Sequence, residues 1–295
     1  MTNNTSLSNT SLRSNSGFSR IASVGGRYRT FLWALLNAIV LVGMAYGGKS
    51  YFDNRPVVFD DPVLEEEIST CMGISGRPIT RKEAKNVRYL DLAHVGDDGG
   101  KIRSLAGISY FGNLEELYLS DQMISDVSEL RKLRNLRNLH LGGNQICDVS
   151  ALASLTNLKS LDLEGNKISD IRALEPLTQL ETLILRDNLI SDISAVAGMR
   201  ELKYLYIRRN EIKDITPLEN LVKLEYLGAA GNEIADIDAL RGMKGLSHLL
   251  ISDNKVTDIS VIRDLTGLEY LEVQGNPIED RSPLEDVPDG CKVIE

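Results

Sequence analysis

Residues Leu158–Gln179 read LKSLDLEGNKISDIRALEPLTQ, and this 22-residue pattern occurs eight times in succession with no insertion or deletion. The copies begin at Leu114, Leu136, Leu158, Leu180, Leu202, Leu224, Leu246 and Leu268, and the last ends at Asp289. A fixed period of this length predicts a solenoid of stacked coils, because 22 residues cannot bury an apolar face alone. The L-x-L segment of each copy is expected to form a short strand, and the strands to stack as a parallel sheet.

Each column of the repeat has a physical explanation. The inward set of the first copy is predicted to be Leu114, Leu117, Leu119, Ile124, Val127, Leu130 and Leu133. The ninth position is asparagine in seven copies and Gln122 in the first, and a carboxamide can satisfy buried backbone donors and acceptors where the chain turns inward. The thirteenth position is always aspartate, which is expected to cap a short helical turn. One carboxylate per coil favours capping over metal binding.

The repeats resemble those of the internalin-type bacterial leucine-rich repeat proteins. Phe59–Leu92 is similar to the helical N-terminal cap of that family, and Asn276–Pro288 to its closing repeat. The resemblance implies an α/β solenoid: a leucine-rich repeat horseshoe with a parallel β-sheet on the concave face and short helical turns on the convex face. It also implies a protein-binding module exposed outside the bacterial cytoplasm.

We predict four regions along the chain. Residues 1–30 form a disordered, basic Asn/Ser-rich cytoplasmic tail, residues 31–48 a transmembrane signal-anchor helix, and residues 49–86 a linker and helical cap. Residues 87–295 form the leucine-rich repeat domain. It comprises one degenerate coil, Val87–Asn113, the eight regular repeats and a C-terminal cap.

The predicted anchor is the apolar run FLWALLNAIVLVGMAYGG, residues 31–48, which is about the minimum length for a bilayer span. Arg20, Arg27 and Arg29 precede it, and basic flanks favour the cytoplasmic side. These features predict a single-pass membrane protein with extracytoplasmic repeats. A signal peptide cleaved at an Ala45-Tyr46-Gly47 pattern and a buried core helix are the alternatives.

Charge is unevenly distributed along the chain. Residues 1–50 hold five of the 33 basic residues and none of the 42 acidic residues, so the remainder carries 28 basic against 42 acidic side chains. An acidic solenoid is a poor candidate for nucleic-acid binding, which requires a basic face.

The candidate binding residues lie at outward positions of the predicted strands. Tyrosine and histidine recur in the third and fifth columns of the later copies, and arginines follow them in the seventh and eighth. These residues are Tyr204, Tyr206, Tyr226, His248, Tyr270, Arg186, Arg208 and Arg209. We expect Tyr204, Tyr226, His248 and Tyr270 to form a ladder. Tyrosine and arginine are enriched at binding hot spots, which predicts a protein or peptide ligand there. The alternative is that the rings only stabilise the sheet.

No motif in the sequence predicts catalysis, a cofactor or a bound metal. His94, His140 and His248 lie in no recognisable catalytic context, and the acidic loop Gly96–Gly100 is weak evidence for calcium. Three widely spaced cysteines imply no disulfide framework, and Cys147 is expected to face outward. We therefore expect a non-enzymatic binding protein. An intracellular leucine-rich repeat regulatory scaffold, for example of a protein phosphatase, and a structural envelope component without a ligand remain the alternatives.

Overall fold

A computed structural model describes residues 54–93 and 100–295. Two helices precede the repeats, α1 at Pro62–Cys71 and α2 at Arg81–Ala84. Ten strands then form one parallel sheet in which each strand pairs with the next along the chain. They are β1 Tyr89–Asp91, β2 Glu116–Tyr118, β3 Asn138–His140, β4 Ser160–Asp162, β5 Thr182–Ile184, β6 Tyr204–Tyr206, β7 Tyr226–Gly228, β8 His248–Leu250, β9 Tyr270–Glu272 and β10 Lys292–Ile294.

Each coil returns to the sheet through a 3₁₀ helix, as the helical turns of the repeat predict. These helices are Ile108–Tyr110, Ser128–Lys132, Ser150–Ser154, Arg172–Leu174, Ser194–Gly198, Thr216–Leu218, Asp238–Leu240, Ser260–Asp264 and Ser282–Asp286. All seven residues of the inward set of the first copy are buried, and the equivalent leucines and isoleucines of later copies line one continuous core. The leucine-rich repeat solenoid is confirmed.

The asparagine column forms a hydrogen-bonded ladder inside the solenoid. The Asn188 Nδ2 group donates to the Leu185 carbonyl of its own coil at 3.1 Å and to the Leu163 carbonyl of the preceding coil at 2.9 Å. Its Oδ1 accepts from the Ile168 amide at 3.0 Å. The same three contacts recur at Asn144, Asn166, Asn210, Asn232, Asn254 and Asn276. The predicted role of the carboxamide is confirmed.

The aspartate column caps the 3₁₀ helices. In all eight copies Oδ1 accepts from the backbone amide two residues further on, at 2.7–2.9 Å. At Asp192 the Ser194 amide and hydroxyl hold the pKa of the carboxyl below its ordinary value. The capping prediction is therefore confirmed.

The repeat continues one strand further than the sequence analysis placed it. β10 pairs with β9 in the same 22-residue register, with Val293 opposite Leu271. The sequence analysis places this segment in the C-terminal cap. The sequence does indicate this strand, because Val293 is an apolar residue 22 positions after Leu271. The ninth regular copy was not recognised because its first column holds Gly290 instead of leucine.

Asp61 joins the helical cap to the first coil, which is the degenerate coil Val87–Asn113. Its carboxylate accepts from the amides of Val63 and Leu64 at the start of α1, and from the amides of Arg103 and Ser104 in the first coil at 2.7 and 3.1 Å. It is only 7% exposed. One side chain thus satisfies four backbone donors from two segments.

Several predictions concern segments outside the described residues. Within residues 54–93 and 100–295 no helix is both long and apolar enough to cross a bilayer, and the predicted span at 31–48 lies outside these ranges. The predicted tail and most of the Gly96–Gly100 loop lie outside them too. Cys71, Cys147 and Cys291 are free thiols, and Cys147 is exposed as expected.

Candidate functional site

The outward side chains of the strands form a continuous surface, which we call the sheet face. On β6 and the two residues after it, the buried Leu205 and Ile207 alternate with Tyr204, Tyr206 and Arg208, which point away from the core. Seven of the eight candidate residues occupy such outward positions. Arg209, the eighth, lies at the turn that follows Arg208.

Four rings form a stack across the later strands, which we call the aromatic ladder: Tyr206, Tyr226, His248 and Tyr270. The ring centroids are 4.6 Å apart for Tyr206 and Tyr226, 5.7 Å for Tyr226 and His248, and 5.9 Å for His248 and Tyr270. Contacts of this kind are worth about 0.5–1.5 kcal/mol each beyond burial. The structure brings the predicted rings together, except for Tyr204.

The first rung is Tyr206, whereas the sequence analysis placed Tyr204 there. Tyr204 and Tyr226 pair in the sheet register, but the Tyr226 ring leans diagonally toward Tyr206. Gly228 makes this possible, since a Cβ at that position would lie 3.0 Å from Cε1 of Tyr226 and 3.7 Å from Cδ1 of Tyr206. The Tyr204 ring instead stands apart, with its hydroxyl donating to Glu225 at 2.9 Å.

A cation lies beside each end of the aromatic ladder. The Arg186 guanidinium carbon is 5.4 Å from the Tyr206 ring centroid, and the Lys292 ammonium is 5.1 Å from the Tyr270 centroid. Arg186 also pairs with Glu164 at 2.6 Å, while its Nε is buried with no acceptor. Each cation is attracted to the ring beside it, because the negative π surface of an aromatic ring attracts positive charge.

Arg209 occupies an unfavourable backbone conformation. The eighth position of every regular coil has positive φ, and it is glycine in four coils and aspartate in three. Arg209 has φ +53° there, a left-handed conformation that costs an ordinary L-residue about 1–2 kcal/mol. Its guanidinium reaches back to Asp187 at 3.3 Å. The conformation belongs to the repeat, because all eight regular coils share it.

The sequence analysis missed a second aromatic group on the first coils. The centroids of Tyr89 and Tyr118 are 5.6 Å apart, and those of Tyr118 and His140 are 4.5 Å apart with nearly parallel planes. The His140 Nδ1 is 3.6 Å from a carboxylate oxygen of Asp162. Burial and the nearby Glu116 raise the pKa of Tyr118. The sequence could have indicated this group, because Tyr118 and His140 occupy the fifth column of the first two copies. Lys292 was also missed because its strand was not recognised.

Within residues 54–93 and 100–295 no three His, Cys, Asp or Glu side chains converge as metal ligands would. The aromatic ladder and its cations offer apolar area, ring faces and charged donors, the combination that dominates protein-binding hot spots.

Comparison with known proteins agrees with this architecture. The family described as Leucine Rich repeats (2 copies) matches residues 112–154, 156–198 and 200–242. Among curated proteins, none matches the sequence significantly. Leucine-rich repeat solenoids of this kind typically act as non-enzymatic protein-interaction modules.

Solved structures from Listeria monocytogenes are similar over most of the chain. Internalin InlF is 33% identical with a TM-score of 0.70, covering 82% of this chain and 77% of its own. Internalin C2 is 32% identical with a TM-score of 0.66, covering 84% and 99%. A leucine-rich repeat protein of Leptospira interrogans shares the fold at 24% identity and a TM-score of 0.60, covering 72% and 62%. The repeats, the helical cap and this similarity show that the chain belongs to the internalin family of bacterial leucine-rich repeat proteins.

Proposed function

We propose that this protein is a non-enzymatic, membrane-anchored, extracytoplasmic recognition module that binds a protein or peptide ligand on its sheet face. The observation that carries the proposal is the aromatic ladder with a cation at each end. The leucine columns that form the core do not require aromatic side chains at these positions, so the ladder adds a property that the fold does not need.

The other coils argue against a purely structural role for the rings. The third column carries Asn138, Ser160 and Thr182 on β3 to β5, and those strands keep the same parallel register as the aromatic ones. Strands β4 and β5 carry no ring on the sheet face, so the register forms there without stacked rings. The unbroken row of four rings on β6–β9 is better explained by a ligand that contacts those coils.

Removing two rungs tests the binding site. Short peptides selected from a random display library on the full chain should bind the Tyr206→Ala/Tyr226→Ala variant at least about tenfold more weakly, because buried aromatic anchors dominate interface energies. The matched control is Asn138→Ala/Ser160→Ala, in equivalent columns without rings, which should change the dissociation constant less than about twofold. Equal binding by the ladder variant, with its melting temperature unchanged, would show that the ladder is not the site.

The anchor and the location are supported by the apolar run at residues 31–48 and the basic residues before it. Protease added to intact cells should cut the repeats, and the intact chain should sediment with membranes. Protection from protease together with a soluble chain would contradict this part of the proposal. That result would favour the intracellular regulatory scaffold.

A further inference from the structure

Arg208 is an exposed cation on the sheet face. It follows Arg186 in the seventh column, one coil further on, and Arg186 is paired with Glu164. The Arg208 side chain is exposed, and within residues 54–93 and 100–295 it makes no ion pair or side-chain hydrogen bond. Arg209 beside it is paired with Asp187.

Among the described residues, two tyrosine hydroxyls on the coil of Arg208 and the next coil also lack a carboxylate partner. Four tyrosines of the sheet face donate to a carboxylate: Tyr89 to Asp91, Tyr118 to Glu116, Tyr204 to Glu225 and Tyr270 to Glu272. In the described part of the chain, the hydroxyls of Tyr206 and Tyr226 make no such bond. Burial and the neighbouring Tyr206 raise the pKa of Tyr226, and the positive charges of Arg186 and Arg208 act in the opposite direction.

Gly228 is the point around which these groups meet. A Cβ there would lie 3.6 Å from the hydroxyl oxygen of Tyr226 and 3.7 Å from Cδ1 of Tyr206, so both phenols pack over this glycine. Gly228 pairs with Tyr206 in the sheet register, and Arg208 follows Tyr206 by two residues on the same face. The two phenols and the guanidinium therefore belong to neighbouring coils of one surface.

We propose that Arg208 and the hydroxyls of Tyr206 and Tyr226 bind one carboxylate of an acidic segment in the partner polypeptide. The inference rests on the proposed function and specifies its ligand. A carboxylate has two oxygens that match the parallel donors of a guanidinium, and the phenols supply further donors.

The surrounding charges favour a single carboxylate over a polyanion. The chain has a net charge of −9, and Glu164, Glu225 and Glu272 lie on or beside the sheet face. A nucleic acid or a strongly anionic membrane surface would meet these carboxylates as well as Arg208. One unpaired arginine neutralises one negative charge, which fits an aspartate, a glutamate or a terminal carboxylate of a peptide.

The test uses the full chain and the peptides selected from a random display library. Each Asp or Glu of the best peptide is replaced by its amide, and dissociation constants are measured for wild type, Arg208→Gln and Arg200→Gln. Arg200 is exposed and lies off the sheet face, so it controls for the change in net charge. One amide replacement should weaken binding to wild type and to Arg200→Gln about tenfold or more, but binding to Arg208→Gln less than about twofold.

Tyr226→Phe isolates the hydroxyl, because it keeps the ring and should still weaken only the carboxylate-bearing peptide. Peptides that depend on the Tyr206 and Tyr226 rings but on no carboxylate would overturn this inference and leave the proposed function intact. An equal effect of Arg208→Gln and Arg200→Gln would also overturn it. Peptides indifferent to the loss of both rings would instead overturn the proposed function.

Discussion

Replacing Asn188 with alanine is expected to lower the free energy of unfolding by about 2–4 kcal/mol. The change leaves the buried amide of Ile168 without its acceptor, and it removes one donor each from the carbonyls of Leu163 and Leu185. Both carbonyls keep a second carboxamide, from Asn166 and Asn210 respectively, so the orphaned Ile168 amide is the main loss.

Urea denaturation of the full chain measures this effect, with Asn220→Ala as the matched control. Asn220 carries the same side chain on the surface, where its Nδ2 donates to the exposed side chain of Glu219. A surface change of this kind should alter stability by less than about 0.5 kcal/mol. If the two variants unfold at the same urea concentration, the asparagine ladder does not stabilise the solenoid.

Replacing Asp61 with alanine should lower the free energy of unfolding of the cap by about 2–4 kcal/mol, because the change removes a helix cap and leaves two first-coil amides without their acceptor. The cap covers the end of the core with Leu64 and Ile68, both fully buried. Its release should therefore appear as faster proteolysis between α1 and the first coil. Asp60→Ala is the control, since Asp60 is the exposed neighbour.

The same carboxylate makes the cap sensitive to acid. Burial alone would raise the pKa of Asp61, but its four backbone donors outweigh burial and hold the pKa below the ordinary 3.8. A group whose pKa is lower in the folded state stabilises the fold above the pKa of its unfolded form, and this contribution is lost as the pH falls through the folded value. Wild type should therefore lose cap stability below about pH 4, and Asp61→Ala should lose less over that range. A steeper acid loss in the variant would contradict this account.

Most of the fold follows from the period alone. A 22-residue unit with leucine at fixed columns has to stack, and asparagine and aspartate in two further columns identify where the backbone needs partners. The sequence analysis did not predict β10, because Gly290 occupies the column where the other copies have leucine. The sequence analysis also did not predict the left-handed backbone at the eighth position. Glycine and aspartate are frequent in ordinary turns, and Arg209 breaks the pattern of that column.

The repeat pattern predicts which residues of the candidate site point outward, but it does not predict which of their side chains touch. Outward positions follow from alternation along each strand, so Tyr226, His248 and Tyr270 could be placed in one row. The diagonal contact between Tyr226 and Tyr206 depends on the missing side chain of Gly228, two residues further along the strand. Which hydroxyls are left unpaired likewise depends on side-chain rotamers, which the period does not specify.

The asparagine ladder has a consequence for engineering. Stability is set by side chains that point into the solenoid, whereas the proposed recognition is set by side chains that point out of the same strands. The outward residues of β6–β9 can therefore be grafted onto β2–β5 with every inward residue unchanged. Under the proposed function, such a graft is expected to move the binding specificity along the chain without a change in the hydrogen bonds that hold its coils together.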